Sequence, residues 1–203
     1  MKLFDGGKAP NPRRVRVFLA EKGIEVPIEP VDMTRLEHRG EAIVRRNPLA
    51  RLPVLELDDG TILTESVAIC RYFELLHPGP ALFGTGAIGQ ARVEMWNRRL
   101  ELGLLATVAA AFRHTHPAMK DWEVPQFPDW GAANRIKAVE ALEMLDRHLA
   151  DTRFVCGEDY TIADITGLVA LDFMKPARIE LPEQLAHVRR WHAEISARPS
   201  AAA

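Results

Sequence analysis

The 203-residue chain has only two cysteines, Cys70 and Cys156, and they form no CxxC pair. Cys70 falls within an apolar helical stretch, where a buried, inert thiol is expected. Cys156 precedes Gly157 and is expected to be structural. The sequence leaves a disulfide between the two open, but a mostly helical cytosolic protein seldom uses one. The expected compartment is therefore reducing and cytoplasmic. No apolar run approaches the ~20 residues needed to span a bilayer. The first residues, MKLFDGGKAP, reach Asp5 and two glycines too soon for a secretory leader. The formal net charge is only −2, so general attraction to nucleic acid or to an anionic membrane is not expected. The pairs Arg13-Arg14, Arg45-Arg46, Arg98-Arg99 and Arg189-Arg190 read as solvated helix faces.

Hydrophobic residues make up 47% of the chain, enough for real cores, and the length suits one large domain or two small ones. Lys2 to Asp5 reads as a short strand. Gly6 to Pro10 is a loop, and Asn11-Pro12 reads as an N-cap followed by proline at the first helical position. That helix runs through Val15, Val17, Phe18 and Leu19 to a stop at Gly23. Val26 to Met33 is extended and interrupted by prolines, which places it near a sheet edge. Glu41 to Arg46 reads as a short helix. Val54 to Leu57, the turn Asp58-Asp59-Gly60 and Thr61 to Thr64 form a hairpin. Ser66 reads as the N-cap of a helix through Phe73. The order is β-α-β, then β-β-α.

His77-Pro78-Gly79-Pro80 ends that helix. Residues 1–78 are expected to form the first domain, 79–86 a linker and 87–203 an all-helical domain. A long helix is expected from Gly89 to about Arg113, an irregular bend from His116 to Gly131, and a helix from Ala132 to Leu149. Thr161 and Asp164 open a further helix at capping-box spacing, with Asp in place of the usual Glu.

Asn47 to Phe73 reads NPLARLPVLELDDGTILTESVAICRYF. It sets a proline at the start of an apolar strand, a tight turn, and an acid–hydroxyl pair opening a helix. A backbone edge, a carboxylate and a helix N-terminus would converge there, which suits a small zwitterionic, peptide-like ligand. This stretch, with Ala9–Gly23 and Tyr160–Asp164, resembles the cytosolic glutathione S-transferase family of bacterial type, with Leu52 where Val is usual. The resemblance implies an α+β fold: a thioredoxin-like N-terminal domain followed by an all-α helical bundle. It implies glutathione as co-substrate, a homodimer, and Thr161 with Asp164 as a structural cap.

It also implies roles for particular residues. The bond before Pro53 would be cis, leaving the Leu52 backbone to pair with glutathione like an added strand; an ordinary trans bond at a strand start is the alternative. Glu65 would accept from the ligand's α-ammonium and Ser66 would donate to its α-carboxylate. Arg51, His38 and Arg39 are candidates for the glycine end of glutathione, with solvated surface charge as the alternative. The loop Lys8 to Arg13 has no Tyr, Ser or Cys to hold the sulfur, and Ala9 stands in the hydroxyl position. Asn11 remains, as a thiolate donor or only a cap. Phe112, Met119 and Trp122 are candidates for the second-substrate pocket, with plain helical core as the alternative. His114 and His116 have the look of a metal pair, but no acid or cysteine completes a site, so no metal is expected. The implied activity is transfer of glutathione to a small apolar electrophile. Glutathione-dependent disulfide reduction and a non-catalytic binding or assembly module are the alternatives.

Overall fold

The computed structural model describes residues 1–203, which fall into two units: Met1–Ala81 with Ala202–Ala203, and Leu82–Ala201. In the first unit, β1 (Lys2–Asp5), β2 (Ile28–Pro30), β3 (Val54–Glu56) and β4 (Ile62–Thr64) form one sheet in the order β2-β1-β3-β4. β1 is parallel to β2 and antiparallel to β3, and β3 is antiparallel to β4. The proline-broken β2 lies at the sheet edge, as expected. Gly60 takes a φ of 83° in the hairpin turn, a conformation that residues with a β-carbon disfavour.

Alternation along the strands separates two apolar faces. Phe4 and Val54 join Val31, Ile43 and Leu52 in one buried cluster. Leu3 and Leu55 point the other way and are wholly buried. On that side α1 (Pro10–Lys22) packs against α3 (Ser66–Leu76), burying Val15, Phe18, Ile69 and Phe73. The short α2 (Glu41–Val44) contributes Ile43 to the first cluster. This is the thioredoxin-like arrangement.

The second unit is all helical: α4 (Gly86–Arg98), α5 (Ala106–Thr115), α6 (Pro128–Leu149), α7 (Ile162–Met174) and α8 (Ala186–Ser196). The expected long helix is present, but a π-helical segment, Arg99–Leu105, joins α4 to α5 within it. α6 begins four residues before the expected Ala132, because Pro128 serves as a first-turn residue, where a missing N–H costs nothing. Gly131 has no room for a side chain there: a β-carbon would lie 2.4 Å from Thr115 Cγ2. α7 is buried from Ile162 to Leu171. Its Thr166 hydroxyl donates to Asn97 of α4 at 2.6 Å, and Gly167 admits the Trp191 ring, which a β-carbon would meet at 2.3 Å.

The capping box at Thr161 and Asp164 is present. Asp164 does more than cap, however. Its wholly buried carboxylate accepts from the Thr161 N–H and hydroxyl at 2.9 and 3.1 Å, and from the Val155 N–H and Trp191 Nε1 at 2.9 Å each. It therefore ties the 150s loop and α8 to the start of α7. Burial raises its pKa, against the lowering effect of the four donors. Each buried donor left unmatched costs about 1–3 kcal/mol. Asp164→Ala is thus expected to lower stability by more than ~3 kcal/mol, beyond the ~1 kcal/mol of a lone cap. Urea unfolding measures this, and a loss near the value for a lone cap would mean that the Val155 and Trp191 bonds contribute nothing.

Candidate functional site

The site is built within the first unit, where the ends of β3 and β4 and the starts of α1 and α3 meet. Val54 pairs with Thr64. That register sets Leu52 and Pro53, just before β3, beside Glu65 and Ser66, just after β4. The Leu52–Pro53 bond is cis, as expected. Leu52 is buried, and no main-chain hydrogen bond engages its N–H or C=O. Asn47 holds the preceding loop: Nδ2 donates to the Arg51 carbonyl at 2.8 Å, and Oδ1 accepts from Leu49 N–H at 3.1 Å. That structural use of Asn47 was not legible in the sequence.

Glu65 is exposed and takes φ 64° and ψ 112°. A non-glycine residue with positive φ is a strained conformation, held here by the strand behind it and the helix ahead. Ser66 is the first residue of α3, not its N-cap; the cap position belongs to Glu65. The unusual Glu65 backbone shifts the helix start by one residue. As a result the N–H groups of Ser66, Val67 and Ala68 are first-turn donors with no intrahelical partner.

Arg14 corrects the reading of the arginine pairs as solvated faces. It is wholly buried, and NH1 donates to Ser66 Oγ at 3.2 Å. Because the hydroxyl accepts from Arg14, its own proton remains for an incoming acceptor. Arg13 and Arg14 are adjacent and alike in the sequence, so no local signal there told the buried one from the other. Arg46 also departs from a solvated face. It is half-buried, bonds Glu56 at 2.7 Å and lies over the Phe4 ring.

Asn11 is not the N-cap of α1. The helix begins at Pro10, Ala9 is the cap, and Asn11 is the second helical residue with an exposed side chain. The pair Pro10 and Pro12 explains this, since both prolines fit the first turn and neither has an N–H. Ala9 N–H bonds Gly6 O and Arg13 N–H bonds Ala9 O. Between Ala9 and Arg13, Asn11 therefore supplies the one main-chain N–H without a partner, together with its side-chain amide. Asn11 also precedes Arg14 by three residues, so both lie on one face of α1. The preceding loop is clamped from inside: Asp5 Oδ1 accepts from Gly7 N–H at 2.6 Å, and Arg16 reaches Asp5 and the Gly7 carbonyl. A β-carbon at Gly6 would lie 2.6 Å from Met33 Sδ and 3.2 Å from Leu52 Cδ1, so this loop lies against Leu52.

The structure also brings His38, Arg39 and Arg51 together. His38 is buried, whereas Arg39 and Arg51 are exposed. Burial, then the charges of Arg39 and Arg51, push the His38 pKa down from its usual value of 6.5. Cys70 is wholly buried with its thiol pKa pushed up, and burial raises Cys156 to about 11, so neither supplies a thiolate at neutral pH. In the second unit, Phe112 is half-buried against Phe173 and His116, and Met119 and Trp122 share one turn through a 2.9 Å main-chain bond. His114 and His116 serve the loop instead: His114 Nδ1 accepts from Phe127 N–H and His116 Nδ1 from Ala118 N–H, each at 3.2 Å. No group of three or more His, Cys, Asp or Glu is placed to hold a metal ion.

The depressed His38 pKa has a pH consequence. The unfolded chain takes up a proton near 6.5 that native His38 resists, so this contribution to stability is present above that pH and is lost as pH falls. His38→Gln is expected to flatten the decline of the urea midpoint between about pH 6.5 and 5. Superimposable pH curves for the variant and the parent would show that His38 titrates normally.

Residues 9–76 match the glutathione S-transferase N-terminal domain, and residues 128–194 match the glutathione S-transferase C-terminal domain. The chain is 33% identical over 203 residues to glutathione S-transferase 2 of Saccharomyces cerevisiae, covering 98% of this chain and 87% of that protein. Among solved structures, a glutathione S-transferase domain-containing protein of Marinobacter aquaeolei VT8 superposes with a TM-score of 0.95 at 40% identity, covering 98% of this chain and 99% of that one. Gtt2 of Saccharomyces cerevisiae gives 0.94 at 33%, covering 98% of each chain. With full-length similarity joined to this fold, the chain belongs to the glutathione S-transferase family.

Proposed function

We propose that the protein is a glutathione transferase that joins the glutathione sulfur to a small apolar electrophile. The observation that carries this reading is the Arg14–Ser66 hydrogen bond. It turns a serine hydroxyl into a donor at a helix N-terminus, beside an exposed carboxylate and the unpaired main chain of Leu52. The α-carboxylate of glutathione meets Ser66 and the first N–H groups of α3, and its α-ammonium meets Glu65. Its cysteinyl backbone pairs with Leu52 beside Pro53. Its glycine carboxylate faces Arg51, Arg39 and neutral His38.

Asn11 holds the sulfur. A free thiol of pKa ~8.5 is a few per cent ionised at neutral pH. Lowering that pKa by two units takes about 2.7 kcal/mol of preferential thiolate stabilisation. One hydrogen bond to a charged acceptor gives ~1.5–3 kcal/mol. The Asn11 amide alone reaches that range, and its unpaired main-chain N–H adds to it. The thiolate then attacks the small apolar electrophile. A carbon–sulfur bond forms, and an aryl halide substrate loses its halide.

A second reading is reduction of a disulfide by two glutathione molecules. It requires no protein cysteine, and it yields oxidised glutathione and two thiols. We also assign a homodimer. Ile88, Met95 and Leu102 are exposed at seven-residue intervals along the helix from α4 through the π segment, a stripe that a second copy would cover. The two free cysteines support a cytoplasmic location.

Calorimetric titration with glutathione tests the binding site. Glu65→Ala and Ser66→Ala are each expected to cost ~1.5–3 kcal/mol of affinity with the fold retained. Unchanged affinity in both would move the ligand elsewhere. Since Asn11 caps nothing, Asn11→Ala is expected to change stability by less than ~0.5 kcal/mol. Asn11→Asp is expected to nearly abolish both conjugation of an aryl halide and reduction of a mixed disulfide, by setting a negative charge against the thiolate. Parental rates in that variant would remove Asn11 from the chemistry. Sedimentation is expected to give a dimer at micromolar concentration and a monomer for Met95→Lys with Leu102→Lys; a monomeric parent protein would refute the assembly.

A further inference from the structure

The loop between β1 and α1 is gripped by one ion pair. Asp5, the last residue of β1, is buried. Its Oδ1 accepts from Gly7 N–H at 2.6 Å, and its Oδ2 accepts from Arg16 NH1 at 2.5 Å. Arg16, on α1, also donates through NH2 to the Gly7 carbonyl at 3.0 Å. The N–H and the C=O of Gly7 are therefore both held, one by each partner of the pair. Asp5 is itself fixed, because its carbonyl accepts from Val31 N–H at 2.8 Å. Gly7 takes a φ of 63°, the left-handed region that glycine enters without strain.

The sheet and the helices are held without this pair. β1 is hydrogen-bonded to β2 and β3, and α1 packs on α3. The Asp5 and Arg16 side chains are only 6% and 18% exposed, and desolvation of such a pair offsets much of its Coulomb attraction. Its net contribution to stability is accordingly small. What it supplies is a fixed path for Gly6 and Gly7, residues that lose the most conformational freedom when ordered. That path leads in two residues to Ala9, the cap of α1, and in four to Asn11. Donors stabilise a forming charge most when they are already in place, with no reorganisation left to make.

We propose that Asp5 and Arg16 are positioning residues for the glutathione sulfur: by holding Gly7, they hold the side-chain amide and main-chain N–H of Asn11 at the thiolate. They act through the loop and need no contact with the ligand. The inference rests on the reading of Asn11 as the group that holds the sulfur.

The test follows the ultraviolet thiolate absorbance of bound glutathione across the neutral pH range, in the full chain and in Asp5→Asn and Arg16→Gln. Each variant is expected to lower the thiolate fraction at neutral pH at least fivefold. The kcat/KM for an aryl halide is expected to fall by a similar factor, since the rate follows the ionised fraction. Affinity for S-methylglutathione, which has no thiol to ionise, is expected to stay within twofold of the parent. The pair of variants separates positioning from direct electrostatics. Removing a cation near a thiol raises its pKa and removing an anion lowers it, so a Coulomb effect would move the two variants in opposite directions. Loss of positioning moves both the same way. Should Asp5→Asn fail to fold, Arg16→Gln decides through the comparison with S-methylglutathione, because its side chain is the more exposed of the two. Parental thiolate fractions in the folded variants, shifts of opposite sign, or an equal loss of S-methylglutathione affinity would each overturn the proposal while leaving Asn11 in its role. A parent protein that shows no thiolate at neutral pH would overturn the Asn11 reading and this inference with it.

Discussion

Arg14 is wholly buried on α1 and donates to Ser66 at the start of α3, and the geometry of the candidate site depends on that bond. A buried guanidinium is costly to desolvate, so its position is tightly constrained by the groups that receive its protons. It holds the N-terminus of α1 close to that of α3. The same bond occupies a lone pair of the Ser66 oxygen and leaves the hydroxyl proton available. Around it the supporting contacts are local: Asp5 and Arg16 hold the loop before α1, and Asn47 holds the loop before Leu52.

The second unit is organised by a buried ion of the opposite sign. Asp164 gathers donors from Thr161, Val155 and Trp191, segments with no reason of their own to meet. Asp164 is matched by four donors, whereas Arg14 has its Nε and NH2 buried without a hydrogen-bond partner and bonds Ser66 through NH1. The units differ in what lies next to the ion. Beside Arg14 stand the exposed Glu65 carboxylate, its strained backbone and the unpaired main chain of Leu52, all features that a ligand would use. Around Asp164 every donor is already spent on the fold.

In the proposed reaction the sulfur belongs to glutathione, and the protein's own thiols are buried and held protonated. Cys70 is sealed within α3 and Cys156 is held protonated by burial. The proposal gives the sulfur to Asn11 because of its place between two prolines. Removing two N–H groups from the first turn leaves its own as the free donor, and moving the cap back to Ala9 frees its side chain.

The sequence alone determined the order of elements, the hairpin, the edge strand, the Thr161–Asp164 cap and the family. These depend on local pattern: period-two strands, proline and glycine at turns, and motifs read in order along the chain. Tertiary structure decided which polar residues are inside. Arg13 and Arg14 are neighbours in sequence and look alike there, yet only Arg14 is wholly buried, because its side of α1 faces α3. Asp164 reads as a cap from Thr161 three residues before it, but its bond to Trp191 spans 27 residues and leaves no trace in local spacing. The two helix starts moved for different reasons. Pro10 and Pro12 both fit the first turn and set the cap of α1 locally at Ala9, whereas the positive φ of Glu65, which starts α3 at Ser66, is fixed where β4 of the folded sheet meets that helix.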